Sequence, residues 1–220
     1  MPAPGSKTNR AAKRRVYLAG PDVFLQHAQR IAARKKRLCA KHGFEGVFPL
    51  DAQIKRKRQP SPGALARAIA EANEALIRGC DIVVANCSPF RGVSMDAGTA
   101  YEIGYARALG KPVFGYTNVV ASYRDRADRY RRLDDPLHAD MAGSLIEDFG
   151  LAENLMIAVA ASGHDLVRTR VKRGRELSDL AGFARCMALA GRANSPTAGR
   201  KRQKCPQATS ARGRSVRKPA

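Results

Sequence analysis

The sequence predicts an α/β fold in which a parallel sheet is covered by helices on both faces. Three observations lead to this prediction. Short β-rich runs alternate with helical patterns at the spacing of βαβ units. The run DIVVANC (81–87) is continuously apolar, as expected of a strand buried on both faces. Polar and glycine-rich segments follow the strands, where open parallel sheets bind their ligands.

The first unit consists of a strand and a helix. The strand is predicted in RRVYLAG (14–20), and Gly20-Pro21 ends it. The segment 27–43 predicts a helix whose inward face includes Ile31 and Leu38, with Gly43 as its C-terminal stop.

The later elements repeat this alternation. FEGVFPL (44–50) predicts the second strand. The segment 62–80 predicts a helix because apolar residues recur at helical spacing, namely Leu65, Ile69, Ala72 and Leu76. After the strand 81–87, the sequence predicts a helix over 99–110 and a fourth strand over 111–118.

The remaining segments are harder to interpret. The charged run 123–133 suggests an exposed helix, and 151–161 predicts a mostly buried helix that begins near Glu153. We divide the chain into four parts: a flexible basic N-terminus (1–14), a central α/β domain (15–163), a C-terminal helical extension (164–190) and a disordered basic tail (191–220).

Composition excludes several classes of protein. The 220 residues include no run of eighteen apolar residues and no signal-like N-terminal stretch, so we expect a cytoplasmic protein without a membrane span. The five cysteines form no CxxC pair, which indicates free thiols. The four histidines are scattered as well, and we expect no metal site.

The net charge of +21 lies mainly at the two ends of the chain. Residues 1–15 carry five basic and no acidic groups, and residues 164–220 carry fifteen basic and three acidic groups. The tail could contact polyanions non-specifically or act only as a solvated segment, and the sequence leaves both interpretations open.

The segment DAGTAYEIGYA (96–106) carries two carboxylates, Asp96 and Glu102. Glu102 could close a capping box with Thr99 as the N-cap. Alternatively, it points into a half-buried pocket, where the helix dipole favours its ionised form and it can act as a nucleophile. Asp96 could bond backbone amides of the loop, or act with Glu102 across one small substrate, as paired carboxylates do in glycosyl transfer.

Other polar positions are less specific. Asn73 interrupts an apolar stripe and needs a partner, either a neighbouring loop or a ligand. Gly20 would let a ligand approach the backbone closely. Neither a GxGxxG fingerprint nor a GxxxxGK[ST] phosphate loop is present. We interpret the cluster KRKR (55–58) as a solvated loop.

Together, these motifs resemble the nucleoside 2-deoxyribosyltransferase family. The resemblance covers about residues 14–160, in VYLAGPDVF (16–24), FPLDAQ (48–53), CDIVVANCSPFRGVSMDAGTAYEIGYARALGKPV (80–113) and EDFGLAENLM (147–156). It implies a flavodoxin-like (Rossmann-like) fold and a retaining double displacement, with residues 15–163 as the catalytic domain. No cofactor is implied.

The resemblance also assigns roles to individual residues. Glu102 would attack C1′ of a 2′-deoxynucleoside and form a deoxyribosyl ester, and a second nucleobase would then take the sugar. Asp96 would hold the nucleobase and help to move its proton, and Tyr17 would hydrogen-bond the nucleophile. The expected substrate contacts are Gly20, Phe24, Gln53, Asn73 and Gly98. Asn154 would reach the site of a neighbouring subunit, which implies a homo-oligomer.

Two alternatives remain open at this stage. One is an N-glycoside hydrolase of deoxynucleosides or deoxynucleoside 5′-monophosphates. Relatives that act on monophosphates carry a glycine- and arginine-rich loop after the first strand, which GPDVFLQHA (20–28) lacks, although Arg91 and the 55–58 cluster keep a phosphate in consideration. The other is a polyanion-binding protein built on a non-catalytic core.

Overall fold

The computed structural model describes residues 12–51, 61–128, 144–161 and 165–193. Five parallel strands form one sheet in the order β2-β1-β3-β4-β5. Their bounds are β1 Arg15–Ala19, β2 Glu45–Val47, β3 Ile82–Asn86, β4 Val113–Thr117 and β5 Val167–Arg168. This strand order is that of flavodoxin-like doubly wound sheets, so the predicted fold class is confirmed.

Six α-helices connect or cover these strands in the described parts of the chain. They are α1 Ala28–Lys41, α2 Pro62–Arg78, α3 Ala97–Ala108, α4 Tyr123–Ala127, α5 Leu155–Ala160 and α6 Ala181–Ala193. Two short 3-10 turns, Pro21–Phe24 and Pro49–Asp51, follow β1 and β2. The sequence explains several boundaries: Ser61 caps α2 by accepting a hydrogen bond from the Ala64 amide, and Gly43 follows α1 with a φ of 80°.

The alternation of side chains along the strands divides the core into two layers. One layer lies under α1 and α6 and includes Val16, Leu18, Ile31, Ile82, Val84, Phe183 and Met187. The other lies under α2, α3 and α5 and includes Tyr17, Ala19, Ile77, Val83, Ala85, Ile103 and Ala161. Strand β3 is buried at every position, as its continuous apolar sequence predicted.

The C-terminal region contributes more to the sheet than the sequence indicated. Residues 164–190 were expected to form a helical extension, but they supply the edge strand β5 and most of α6. Cys186, Met187 and Ala190 of α6 are buried in the core layer shared with α1. Helix α6 continues to Ala193, three residues into the segment that we had assigned to the tail.

Two further predictions differ from the structure, and a third is tested only in part. The second strand is shorter than 44–50 because the chain turns into a 3-10 helix at Pro49. The helix predicted over 151–161 is not mostly buried, since Met156 is 70% exposed and Val159 is 47% exposed. Of the run 123–133, α4 covers the first five residues, and residues 129–143 lie outside the described parts of the chain.

The four described cysteines are free and buried, which confirms the prediction for them, while Cys205 lies outside the described residues. Within the described ranges, no helix combines the length and apolarity needed to cross a bilayer.

A fully buried ion pair joins α1 to the turn after β1. Lys35 Nζ contacts Asp22 Oδ2, and both side chains are inaccessible to solvent. Asp22 also accepts a hydrogen bond of 3.2 Å from Asn86 Nδ2, and Lys35 lies over the rings of Tyr116 and Phe183. These partners compensate the two charges for the water they lose on folding. The network therefore fixes the Pro21–Phe24 turn on the sheet.

We expect Lys35→Ala to lower the free energy of unfolding by about 3–5 kcal/mol, because Asp22 would be left buried without its cation. The adjacent Lys36 offers a matched control, since it pairs with Asp51 at the surface and its loss should cost less than about 1 kcal/mol. Urea unfolding of the two variants measures this difference. Equal losses in both variants would contradict the structural role of the buried pair.

Candidate active site

A cavity of about 560 Å³ opens at the carboxyl ends of β1 and β2, between α2 and α3. Strand order reverses beside β1, and ligands of doubly wound sheets bind at this switch point. The cavity volume lies in the range of small-molecule sites. Its walls are formed by Gly20, Val23, Phe24, Pro49, Leu50, Ile69, Ala72, Asn73, Asp96, Gly98, Thr99 and Glu102.

The apolar stripe of α2 forms one of these walls. Ile69 belongs to the apolar stripe that predicted this helix, and its side chain is 43% exposed because it faces the open cavity. Ile77, near the end of α2, is fully buried against the sheet. The helix therefore packs on the sheet near its C-terminal end and lines the cavity with its middle.

Gly20 ends β1 at the base of the cavity, where only glycine fits. Its φ of 151° lies in a region that side chains rarely adopt. A Cβ atom here would stand 2.8 Å from both Asn86 Cβ and Asp22 Oδ2. Phe24, four residues later, walls the mouth of the cavity and stacks on Phe90 with ring centroids 5.5 Å apart. Both residues line the cavity.

Tyr17 and Glu102 form the central contact of the site. Tyr17 projects from β1 toward α3, is fully buried, and donates a hydrogen bond of 2.6 Å to Glu102 Oε1. Glu102 itself is half-buried and lines the cavity. Its carboxylate is thus directed into the site, and it is not folded back onto the start of its own helix.

Burial controls the protonation of Glu102. Removal from water raises the pKa of this carboxyl, the hydrogen bond from Tyr17 opposes the rise, and the nearby charge of Asp96 adds to it, so that the pKa moves from 4.5 to about 7. Burial beside the same carboxylate raises the pKa of Tyr17 far above its usual range, so the phenol keeps its proton. At neutral pH a substantial fraction of Glu102 is therefore ionised and available as a nucleophile.

The start of α3 differs from the predicted capping box. Asp96, and not Thr99, is the N-cap, and its Oδ2 accepts hydrogen bonds from the Thr99 amide (2.8 Å) and hydroxyl (2.9 Å). Thr99 occupies the third helical position. Glu102 consequently lies in the second turn, where the helix dipole contributes little to its ionisation. The capping box of Thr99 and Glu102 does not form because Asp96 caps this helix start, and aspartate is preferred over threonine at the N-cap.

Asp96 is both the cap of α3 and a residue of the cavity wall. Its Oδ2 caps the helix, while Oδ1 has no hydrogen-bond partner among the described residues, and the side chain lines the cavity with Glu102. Gly98 follows in the first turn and also lines the cavity. A Cβ atom on Gly98 would stand 3.2 Å from Asp96 Oδ2, so glycine gives the capping carboxylate its space.

The remaining predicted contacts differ in position. Asn73 on α2 faces the cavity, and its amide forms no hydrogen bond within the described parts of the chain. Gln53 lies outside the described residues. Asn154 does not line the cavity; it caps α5 by accepting from the Met156 amide and donates a hydrogen bond of 2.6 Å to Glu147.

Sequence reasoning overlooked Glu153, which anchors the loop that leads to Asp96. This buried carboxylate accepts hydrogen bonds from the Ser94 hydroxyl (2.6 Å) and the Met95 amide (3.2 Å), and it pairs with Arg126 at 3.0 Å. The only sequence signal was an acid at the start of an apolar helix.

Arg91 was considered in the sequence only as a possible phosphate contact, and its position beside Phe24 of the cavity wall was not foreseen. It has a φ of 57°, the only positive value among the described non-glycine residues. Its guanidinium lies 4.6 Å from the ring centroid of Phe90 and 5.5 Å from that of Phe24. Backbone strain of this kind often accompanies a functional position.

Comparisons with known proteins relate the chain to one family. The sequence profile described as nucleoside 2-deoxyribosyltransferase matches residues 16–156. An uncharacterized protein of Schizosaccharomyces pombe is 38% identical over 119 residues, or 53% of this chain, and the match covers only 56% of that protein. The structure of a 2-desoxiribosyltransferase from Leishmania mexicana superposes with a TM-score of 0.55 at 26% identity, covering 80% of this chain and 97% of its own.

The raised pKa of Glu102 predicts a pH-dependent cost in stability. The folded protein holds this proton up to about pH 7, whereas the unfolded chain releases it near pH 4.5, so stability from this group is lost as pH rises through that window. Glu102→Gln should therefore be more stable than the wild type by about 3 kcal/mol at pH 8 and by less than about 1 kcal/mol at pH 5. Urea unfolding at the two pH values measures the difference. Glu71→Gln, at an exposed position of α2, is the control, and a gain of equal size at both pH values would contradict the prediction.

Proposed function

Because this chain belongs to the nucleoside 2-deoxyribosyltransferase family, we propose that it exchanges the nucleobase of 2′-deoxynucleosides through an ester on Glu102. The observation that carries the proposal is the half-buried Glu102, which has a pKa of about 7, accepts a hydrogen bond from Tyr17 and faces a cavity of nucleoside size. A cytoplasmic location and a role in deoxyribonucleoside salvage remain predictions.

In the first half of the proposed reaction, Glu102 attacks C1′ of the bound deoxynucleoside. Tyr17 occupies Oε1, so Oε2 is the oxygen free to attack. A bond forms between Oε2 and C1′, the C1′–N bond breaks, and its electron pair leaves with the nucleobase. The departing base takes up a proton, and the Asp96 side chain in the wall of the same cavity supports a role for Asp96 in guiding this transfer.

In the second half, a free nucleobase enters and its nitrogen attacks C1′. The ester bond breaks, Glu102 is restored as a carboxylate, and the incoming base loses its proton. Two displacements at one carbon retain its configuration. The position of the Asn73 amide in the cavity supports a role in holding the base, Phe24 offers it a flat apolar wall, and Gly20 and Gly98 leave room for close approach. Gln53, which lies outside the described residues, remains a predicted contact of the base.

We extend the proposal to a homo-oligomer in which Asn154 acts on the site of a neighbouring subunit. Asn154 lies away from the cavity of its own chain, at the N-terminus of α5. The exposed apolar side chains of Met156 and Val159 follow it on this helix and support a contact with a second copy.

Hydrolysis of the same bond by water is the nearest alternative, and Arg91 supports a variant that acts on 5′-monophosphates. Its guanidinium forms no ion pair with a carboxylate of the described residues and lies beside Phe24, a residue of the cavity wall. Such a cation could receive a substrate phosphate. Supplying deoxyinosine or its 5′-monophosphate as the donor distinguishes the two substrate classes.

With deoxyinosine and adenine, the wild-type protein should form deoxyadenosine and hypoxanthine, as measured by chromatography. Glu102→Ala should lower the rate by roughly 10³-fold or more, because the nucleophile is lost. Mass spectrometry of wild-type protein with donor alone should find the deoxyribosyl group on Glu102.

Glu71→Ala, at an exposed position of α2, is the matched control and should retain exchange. If free deoxyribose forms at the same rate with and without adenine, the protein is a hydrolase and the proposed exchange is wrong. If folded Glu102→Ala protein still catalyses exchange, Glu102 is not the nucleophile.

Tyr17→Phe should shift the acidic limb of the rate profile to higher pH, because the hydrogen bond that lowers the pKa of Glu102 is removed. We expect kcat to fall by about 10- to 100-fold at pH 6 and by less at pH 8. The loss at pH 6 corresponds to the free energy that a hydrogen bond to a charged group contributes. Tyr105→Phe is the control, because its hydroxyl bonds Arg78 on the outer side of α3. An unchanged limb would show that Tyr17 does not tune Glu102.

A further inference from the structure

Helix α1 carries six basic and no acidic residues, and the structure separates them into two groups. Two have carboxylate partners: Lys35 is buried with Asp22, and Lys36 pairs with Asp51. The other four are exposed and form no ion pair with a carboxylate in the described parts of the chain, namely Arg30, Arg34, Arg37 and Lys41.

These four residues form a single cationic stripe. Their successive spacings of four, three and four residues place them on one face of the helix. At 1.5 Å per residue the stripe is about 16 Å long. Like charges at these spacings repel each other, so the stripe destabilises the helix unless an anion lies against it.

A groove beside the stripe extends the cationic surface toward α6. It has a volume of about 410 Å³ and is lined by Arg34, Arg37, Leu38, Lys41, Leu180 and Ala184. Helix α6 has no acidic residue. The sequence that follows it, 194–220, contains eight basic and no acidic residues. All charged residues of α6 and of the segment 194–220 are therefore positive.

We propose that the cationic stripe binds the phosphodiester backbone of nucleic acid, independently of the catalytic cavity. Each strand of duplex DNA presents one negative charge per about 3.4 Å of axis, so a 16 Å stripe faces about five phosphates. No aromatic side chain lines the groove, so it offers no platform for base stacking and the binding is insensitive to sequence. The core layer under α1 and α6 is on the opposite side of the sheet from α2 and α3, which form the cavity.

The test compares two double variants of the full chain that remove the same charge. Arg34→Gln/Arg37→Gln removes two cations of the stripe. Arg67→Gln/Arg107→Gln removes two exposed arginines from α2 and α3. Fluorescence anisotropy with a labelled 20-base-pair duplex, at 50 to 300 mM salt, gives the affinity and its salt dependence. Thermal unfolding confirms that both variants are folded.

We expect the stripe variant to bind about tenfold more weakly at 100 mM salt, and the slope of log K against log salt to fall by about 1.8, or 0.9 for each phosphate that the protein no longer neutralises. The control variant should change the slope by less than half as much. Equal decreases in both variants would overturn the proposal, because net charge alone would then explain binding. Polyglutamate that competes as well as the duplex at equal charge would also overturn it, in favour of an acidic-peptide surface.

Discussion

The hydrogen bond from Tyr17 to Glu102 is the contact on which the site depends. Strand β1 provides the donor and α3 the acceptor, so the bond forms only when the strand and helix are packed together. Burial raises the pKa of the carboxyl toward neutrality, and the phenol limits that rise. The fold thereby keeps a carboxylate that is poorly hydrated and still ionisable, which is the state a nucleophile requires.

Glu102 differs from the other buried carboxylates in how few partners it has. Glu153 has Arg126 as a counterion and bonds two backbone amides and the Ser94 hydroxyl. Asp22 has Lys35 and Asn86. Among the described residues, Glu102 has no cation and one hydrogen bond from a side chain. Charges that hold the fold together are fully compensated, whereas this one retains binding capacity toward the cavity. Such incomplete compensation costs stability and is typical of residues that act on a ligand.

How far the sequence predicts this protein depends on whether the signal is local. Strand β3 and helix α2 were evident from apolar runs and periodicity, and Glu102 was evident as an acid among apolar neighbours. The edge strand β5 has two residues and carries too little pattern to detect. Thr99 was one of two interpretations of this helix start, because Thr99 and Glu102 have the spacing of a capping box, and only the backbone geometry selects Asp96 as the cap of α3. The Tyr17 contact spans 85 positions, and it was anticipated from a family resemblance, not from spacing.

Helix α1 shows how one element serves both surfaces of the molecule. Its N-cap, His27, accepts no side-chain capping bond, and its exposed stripe is self-repulsive. The helix therefore depends on packing, through Ile31, Ala32 and Cys39, and on the ion pair of Lys35. That ion pair also holds the turn whose Gly20 and Phe24 shape the cavity. The cations on the outer face and the single buried cation on the inner face thus have separate physical roles. The helix tolerates the repulsion among the outer cations because the buried Lys35 fixes it to the sheet.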